Sequence, residues 1–158
     1  MAVSFCLDNF DKLPHLSSYF INYLTSLGYD SNIALRILEF LNSELNLYSW
    51  QEMWLIRYFY LTPEFDTNLV TYLRNIFLDR NKPVAIRSIA ALILGKIGMI
   101  PELNILKDNF NKTDSLWIKR SIILGIARLP ESSRNHVYNY WKKKNWCFEI
   151  TSDYSKWH

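Results

Sequence analysis

The chain contains an internal repeat, because the apolar segment at residues 86–98 recurs at residues 118–130. The offset between the two copies is 32 residues and is constant through the segment. Apolar residues align along both copies, and basic residues align at two positions. A period of this length in helical sequence is typical of proteins built from stacked helical repeats. The aligned basic pairs are Arg87 with Lys119 and Lys96 with Arg128.

Apolar residues at helical spacing predict eight helices with short connections, and no strand is predicted before residue 145. Gly28 is placed to end the first helix, and Pro83 is placed to begin the fifth. Ser49 and Glu52 form a capping-box pattern at the start of the third helix. The predicted helices are residues 16–27, 31–45, 49–61, 66–78, 83–98, 101–110, 114–129 and 132–144.

These helices are expected to form a single domain, residues 1–158, with about four helical hairpins, in which the third helix pairs with the fourth, the fifth with the sixth and the seventh with the eighth. Residues 16–45 form an irregular capping pair, residues 49–144 form three divergent repeats, and residues 145–158 form a tail. The fifth and seventh helices are apolar on nearly all sides, which predicts that they are buried inner helices. Ala90 and Ala91 are small where a neighbouring helix is expected to approach closely.

Residues 83–98 resemble the core of a HEAT-type repeat. The likeness lies in a Val-Arg-like start, paired alanines, a Leu-Gly pair and a closing Ile-Gly. The second copy departs from this pattern, since Ala127 and Pro130 stand in place of the glycines. The resemblance implies an all-α fold, a right-handed HEAT/ARM-like α–α superhelix. It also implies a non-enzymatic interaction module that binds a protein partner.

A second resemblance concerns residues 50–57, Trp-Gln-Glu-Met-Trp-Leu-Ile-Arg, and the divergent repeats that follow them. This part is similar to the helical region that follows the polymerase domain in some bacterial reverse-transcriptase-like proteins. The chain has no paired-aspartate turn of the Tyr-x-Asp-Asp type. The resemblance implies the alternative function, a nucleic-acid-binding accessory C-terminal domain of a larger enzyme.

The eighth predicted helix carries the best candidate binding surface, because lysines cluster at its end and aromatic residues lie beside them. Clustered lysines neutralise phosphates, and exposed aromatic rings stack on bases. An acidic protein is the other partner that such a surface fits. The competing interpretation is that Trp141 packs inward while the lysines interact with the negative end of the helix dipole. The candidate residues are Lys119, Arg120, Arg134, Tyr138, Lys142, Lys143, Lys144 and Trp146.

Other residues point away from catalysis. The three histidines lie on different predicted elements without a second ligand one turn away, so neither a metal site nor a catalytic residue is predicted. No glycine-rich phosphate loop is present, and neither a cofactor nor a small-molecule substrate is expected. Arg57, Arg87 and Lys119 recur at comparable positions, which predicts a polar ladder between neighbouring helices.

Composition places few further limits on function. The net charge of +3 permits contact with nucleic acid or an acidic protein but favours neither. Cys6 and Cys147 lie far apart, which favours reduced thiols and a cytoplasmic location. No signal peptide is recognisable, and the apolar run at residues 88–95 is too short to span a membrane, so no membrane association is expected.

Overall fold

The structure, a computed structural model, describes residues 2–43, 47–63 and 66–143. All regular structure in these ranges is helical, which confirms the predicted all-α fold for this part of the chain. Short 3₁₀ turns at Pro14–Leu16 and Phe59–Leu61 precede α2 and follow α4. The helices are α1 (Ala2–Asp8), α2 (Ser17–Ser26), α3 (Ser31–Leu41), α4 (Ser49–Tyr58), α5 (Thr67–Leu78), α6 (Val84–Ile97), α7 (Ile100–Lys112), α8 (Leu116–Ala127) and α9 (Glu131–Lys143).

Helix ends mostly follow the sequence signals. Gly28 and Gly98 adopt left-handed backbone angles, with φ of 84° and 70°, just after α2 and α6. Asp66 begins α5 by accepting a hydrogen bond from the Leu69 amide at 2.7 Å. The Ser115 hydroxyl accepts a hydrogen bond from the Ile118 amide in the same way at the start of α8.

The predicted capping box at Ser49 and Glu52 is wrong. The Gln51 side chain accepts the hydrogen bond from the Tyr48 amide at 3.1 Å, one residue earlier than the pattern indicates. The Glu52 carboxylate instead binds Lys82, at 2.7 Å, on the connection that follows α5. Glu52 therefore forms an ion pair with Lys82 and does not cap the start of α4.

Helix α1 was not predicted from the sequence, yet it contributes to the core. Cys6 and Leu7 of α1 are buried, and so is Phe10, which follows the helix. The Phe10 ring lies 6.5 Å from the Phe20 ring and 5.9 Å from the Phe40 ring, measured between centroids. The helix is only seven residues long, which is too short for a clear apolar period, so its stability depends on this packing.

Helices α2, α4, α6 and α8 pack side by side in one row. At one end of α2 and α4, the Gln51 amide donates to the Ser17 hydroxyl at 3.2 Å. At their other end, the Tyr58 hydroxyl contacts the Gly28 carbonyl at 3.3 Å. Both contacts join like ends of the two helices, so α2 and α4 run parallel.

The same parallel arrangement continues along the row. Glu52 near the start of α4 binds Lys82 just before α6, and Lys96 near the end of α6 donates to the Tyr60 carbonyl after α4. Between α6 and α8, Gly95 faces Gly125 and Gly98 faces Leu129. All four helices of the row therefore begin at one edge of the molecule and end at the opposite edge.

The closest helix contact lies between α6 and α8, which correspond to the two copies of the sequence repeat. A Cβ atom added to Gly95 would lie 3.0 Å from the Gly125 Cα, and one added to Gly125 would lie 2.4 Å from the Leu92 carbonyl oxygen. Ala90 and Ala91 are buried as predicted. The glycine pair, however, allows the backbone-to-backbone contact, and Gly95 lies in the last turn of α6.

The remaining helices cover this row. Helix α3 packs on α4, α5 packs on α6, and α7 contacts both α6 and α8. The sequence predicted that α4 and α5 form a hairpin, but the extensive contact of α5 is with α6. Leu73 and Phe77 of α5 are fully buried, which gives this helix its apolar face toward the row. A second layer of helices thus shields one side of the inner helices.

We predict that Gly125→Ala destabilises the protein far more than Gly28→Ala. The new methyl group at position 125 would clash with the Leu92 backbone, at a cost of about 3 kcal/mol. At Gly28 the added Cβ meets open space, so only the left-handed φ contributes, about 1 kcal/mol. Urea unfolding followed by circular dichroism measures both values. Equal losses of stability would contradict the close packing of α6 on α8.

Candidate partner-binding surfaces

Three of the predicted surface residues have described side chains, and two of them make intramolecular contacts. The Lys119 ammonium group lies 5.4 Å from the centre of the Phe110 ring on α7. The Arg134 guanidinium on α9 donates to the Ala127 carbonyl at 3.4 Å, across the connection from α8. Arg120 is exposed on α8. Lys119 and Arg134 thus each support the packing of neighbouring helices.

The structure does not bring these three cations into one compact site. Lys119 precedes Ala127, the contact of Arg134, by eight residues on α8, which is about 12 Å along a helix. Tyr138, Lys142 and Lys143 lie on α9, but their side chains are outside the described part of the chain. Lys144, Trp146 and the tail at residues 145–158 also lie outside it. The basic and aromatic surface on α9 therefore stays a prediction.

Two of the three cations in the predicted polar ladder contact a neighbouring helix, but of these only Arg87 binds a carbonyl. The Arg87 guanidinium donates to the Phe77 carbonyl near the end of α5 at 3.1 Å. Lys119 occupies the matching position in α8 and contacts the Phe110 ring near the end of α7. Arg57 differs, since it lies 5.0 Å from the Trp54 ring of its own helix. The first two cations thus join an inner helix to the helix that precedes it.

Sequence reasoning missed two partly buried ion pairs. Glu52 accepts from Lys82 through both carboxylate oxygens, at 2.7 and 2.8 Å, and from the Tyr72 hydroxyl at 3.4 Å. Burial raises the pKa of Tyr72 strongly, and the nearby Glu52 charge raises it further. Arg74 on α5 pairs with Glu102 on α7, whose side chain is fully buried. No sequence spacing marks these pairs, because each joins residues from different parts of the chain.

The start of the helix row is one candidate binding surface, because large apolar residues are exposed there. Trp50 is 41% exposed near the start of α4, and its ring stacks on Tyr48 at a centroid distance of 6.0 Å. Val84 at the start of α6 is 42% exposed, and Leu116 and Trp117 at the start of α8 are 78% and 67% exposed. We call Trp50, Val84, Leu116 and Trp117 the tryptophan edge.

The opposite edge of the row carries positive charge. The Lys96 ammonium group lies 4.9 Å from the centre of the Tyr60 ring, and the Arg128 guanidinium lies 5.3 Å from the same centre. Lys96 also donates to the carbonyls of Tyr60 and Thr62, which follow α4. We call Tyr60, Lys96 and Arg128 the cationic edge. Its two cations are the aligned pair of the sequence repeat, brought to one ring by the packing.

Metal-ligand clusters and membrane-spanning helices were sought among the described residues. They contain no group of three or more His, Cys, Asp or Glu side chains placed to hold a metal ion. Among them, no helix combines the length and apolar character needed to cross a lipid bilayer.

A cavity of about 400 Å³ lies between α3 and the start of α5. Its wall is mainly apolar and includes Leu35, Leu38, Phe59 and Leu69.

Comparisons of the chain with protein-family models, with curated proteins and with solved structures found no match. The likenesses to HEAT-type repeats and to reverse-transcriptase-like proteins therefore stay predictions. The candidate surfaces are supported by the geometry of this chain alone.

We predict that Arg74→Met lowers the free energy of unfolding by about 3 kcal/mol, because it leaves the buried Glu102 carboxylate without its cation. The double variant Arg74→Met with Glu102→Met should recover most of that loss, since no buried charge is left unpaired. Thermal and urea unfolding of the three proteins tests this coupling. If the double variant is less stable than Arg74→Met alone, the pair contributes more than charge compensation.

Proposed function

We propose that the chain is a non-enzymatic helical-repeat interaction module that binds a protein partner through the tryptophan edge. One observation carries this proposal, which is that α4, α6 and α8 begin at the same edge and each exposes a large apolar side chain there. Exposed apolar groups that are contiguous, rather than scattered singly, are characteristic of protein interaction sites.

The size and chemistry of the tryptophan edge suit a protein partner. Packed neighbouring helices lie about 8–10 Å apart, so the edge extends roughly 20 Å from α4 to α8. Tryptophan is enriched among the residues that dominate binding energy at protein interfaces. Burying one large apolar side chain contributes about 2 kcal/mol, so Trp50, Leu116 and Trp117 together form an adequate centre for an interface.

We further propose that the row belongs to a HEAT- or ARM-like superhelix. The parallel order of α2, α4, α6 and α8 supports this proposal, as does the coincidence of α6 and α8 with the two copies of the repeat. In such stacks each unit contacts mainly its neighbours, and varied surfaces are presented along the edges. The nucleic-acid alternative stays a prediction, because the described candidates Lys119, Arg120 and Arg134 do not converge.

Site-specific cross-linking tests the proposed interface. A photo-cross-linking phenylalanine analogue is placed at Trp117 in the full chain, expressed in the cells that naturally produce it. The matched control carries the same analogue at Leu27, which is exposed just after α2 at the opposite edge of the row. We expect a discrete protein adduct from position 117 that position 27 does not give. Identical adducts from both positions would contradict the proposal.

We predict that Trp117→Asp weakens binding of that cross-linked partner by at least about tenfold, because it removes a large apolar contact at the centre of the interface. Leu27→Asp should leave the affinity unchanged within about twofold. Titration calorimetry with the purified partner measures both effects. Circular dichroism of each variant checks that the helical fold is retained.

A further inference from the structure

The cationic edge holds two like charges against one aromatic ring. Both Lys96 and Arg128 approach Tyr60, within 4.9 and 5.3 Å of the ring centre. Both cations donate to backbone carbonyls. Lys96 donates to those of Tyr60 and Thr62, and Arg128 donates to that of Leu124. These bonds fix the two charges side by side at the ends of α4, α6 and α8.

No carboxylate among the described residues pairs with either cation. The ion pairs in residues 2–43, 47–63 and 66–143 involve Arg36, Arg74 and Lys82. Burial lowers the pKa of Lys96, and repulsion from Arg128 lowers it further. Arg134 adds a third cation nearby, since it binds the carbonyl of Ala127, the residue before Arg128. An incoming anion would relieve this repulsion directly.

Exposed apolar residues follow the same helix ends that carry the cationic edge. Leu61 follows Tyr60 in the turn after α4, and Met99 and Ile100 follow the end of α6, three and four residues after Lys96. All three are exposed. A ligand that fits this edge therefore carries carboxylates together with apolar groups. The phosphate backbone of a nucleic acid fits less well, because it would meet these three apolar side chains beside the cations.

We propose that the cationic edge binds the carboxylates of an acidic, amphipathic peptide segment of a partner protein. The Arg128 guanidinium offers planar, paired donors to a carboxylate, while the Lys96 ammonium acts as a second point charge beside it. Leu61, Met99 and Ile100 contact the apolar side chains of the same segment. This site lies at the opposite end of the row from the tryptophan edge, so it stands or fails independently of the proposed function.

A defined probe tests the proposal without knowledge of the natural partner. The probe is a fluorescein-labelled synthetic peptide that forms an amphipathic helix, with Glu on one face and Leu on the other. Its binding to the full chain is followed by fluorescence anisotropy. Two controls accompany it: the same peptide with Gln in place of Glu, and a labelled single-stranded RNA. We expect the Glu peptide to bind at least about tenfold more tightly than the Gln peptide, with an affinity that falls as salt rises.

A matched pair of variants locates the site. Arg128→Gln should weaken binding of the Glu peptide by about tenfold or more, because it removes a charge-assisted contact. Arg80→Gln makes the same change in charge at an exposed position between α5 and α6, beside the start of α6 and away from the cationic edge, and should change binding by less than about twofold. Circular dichroism and thermal unfolding show whether each variant keeps its fold. If Arg128→Gln unfolds, Met99→Ser is used in its place. This variant lowers the affinity for the Glu peptide only if the peptide binds at the cationic edge.

Several outcomes would overturn the proposal. They are failure of the Glu peptide to bind, equal binding of the Gln peptide, and equal losses from Arg128→Gln and Arg80→Gln. Tighter binding of the RNA, lost in Arg128→Gln, would assign the edge to nucleic acid instead. Trp117→Asp should leave peptide binding intact, and a loss in that variant would place the peptide at the tryptophan edge. Failure of the tryptophan-edge interface leaves each of these measurements unaffected.

Discussion

The backbone contact between α6 and α8 at Gly95 and Gly125 is the constraint on which the rest of the structure depends. Two helices can approach this closely only where neither carries a side chain at the point of contact. The contact fixes the relative position of the two repeat copies, and it aligns their ends. Lys96 and Arg128 reach the same ring, and Leu116 and Trp117 begin at the same edge as Val84, because these inner helices run parallel.

Parallel packing also makes the two edges of the row chemically different. Helices aligned in one direction add their dipoles, so the edge where they end presents carbonyl groups and partial negative charge. Lys96 and Arg134 each donate to a carbonyl near the end of a row helix, which partly compensates that charge. At the edge where the row begins, the large apolar side chains of Trp50, Val84, Leu116 and Trp117 are exposed. One architectural feature thus produces two surfaces suited to different ligands.

Sequence reasoning succeeded where the signal is local and failed where it depends on distant residues. Gly28 and Gly98 end helices as their patterns indicate. Glu52 has the correct spacing for a capping box, yet its carboxylate binds Lys82 because the fold brings that cation within reach. Helix α1 was not predicted because it is too short to show an apolar period. Its position depends on tertiary packing, in which Phe10 contacts Phe20 and Phe40.

The helical character of the described chain and the relation between α6 and α8 can be read from the amino-acid sequence, because apolar period and internal repetition are local properties. The repeat also aligns Lys96 with Arg128. The sequence does not reveal that these cations share the Tyr60 ring, or that Trp50, Val84, Leu116 and Trp117 lie along one edge. Both arrangements depend on the direction and closeness of helix packing, which the Gly95–Gly125 contact sets.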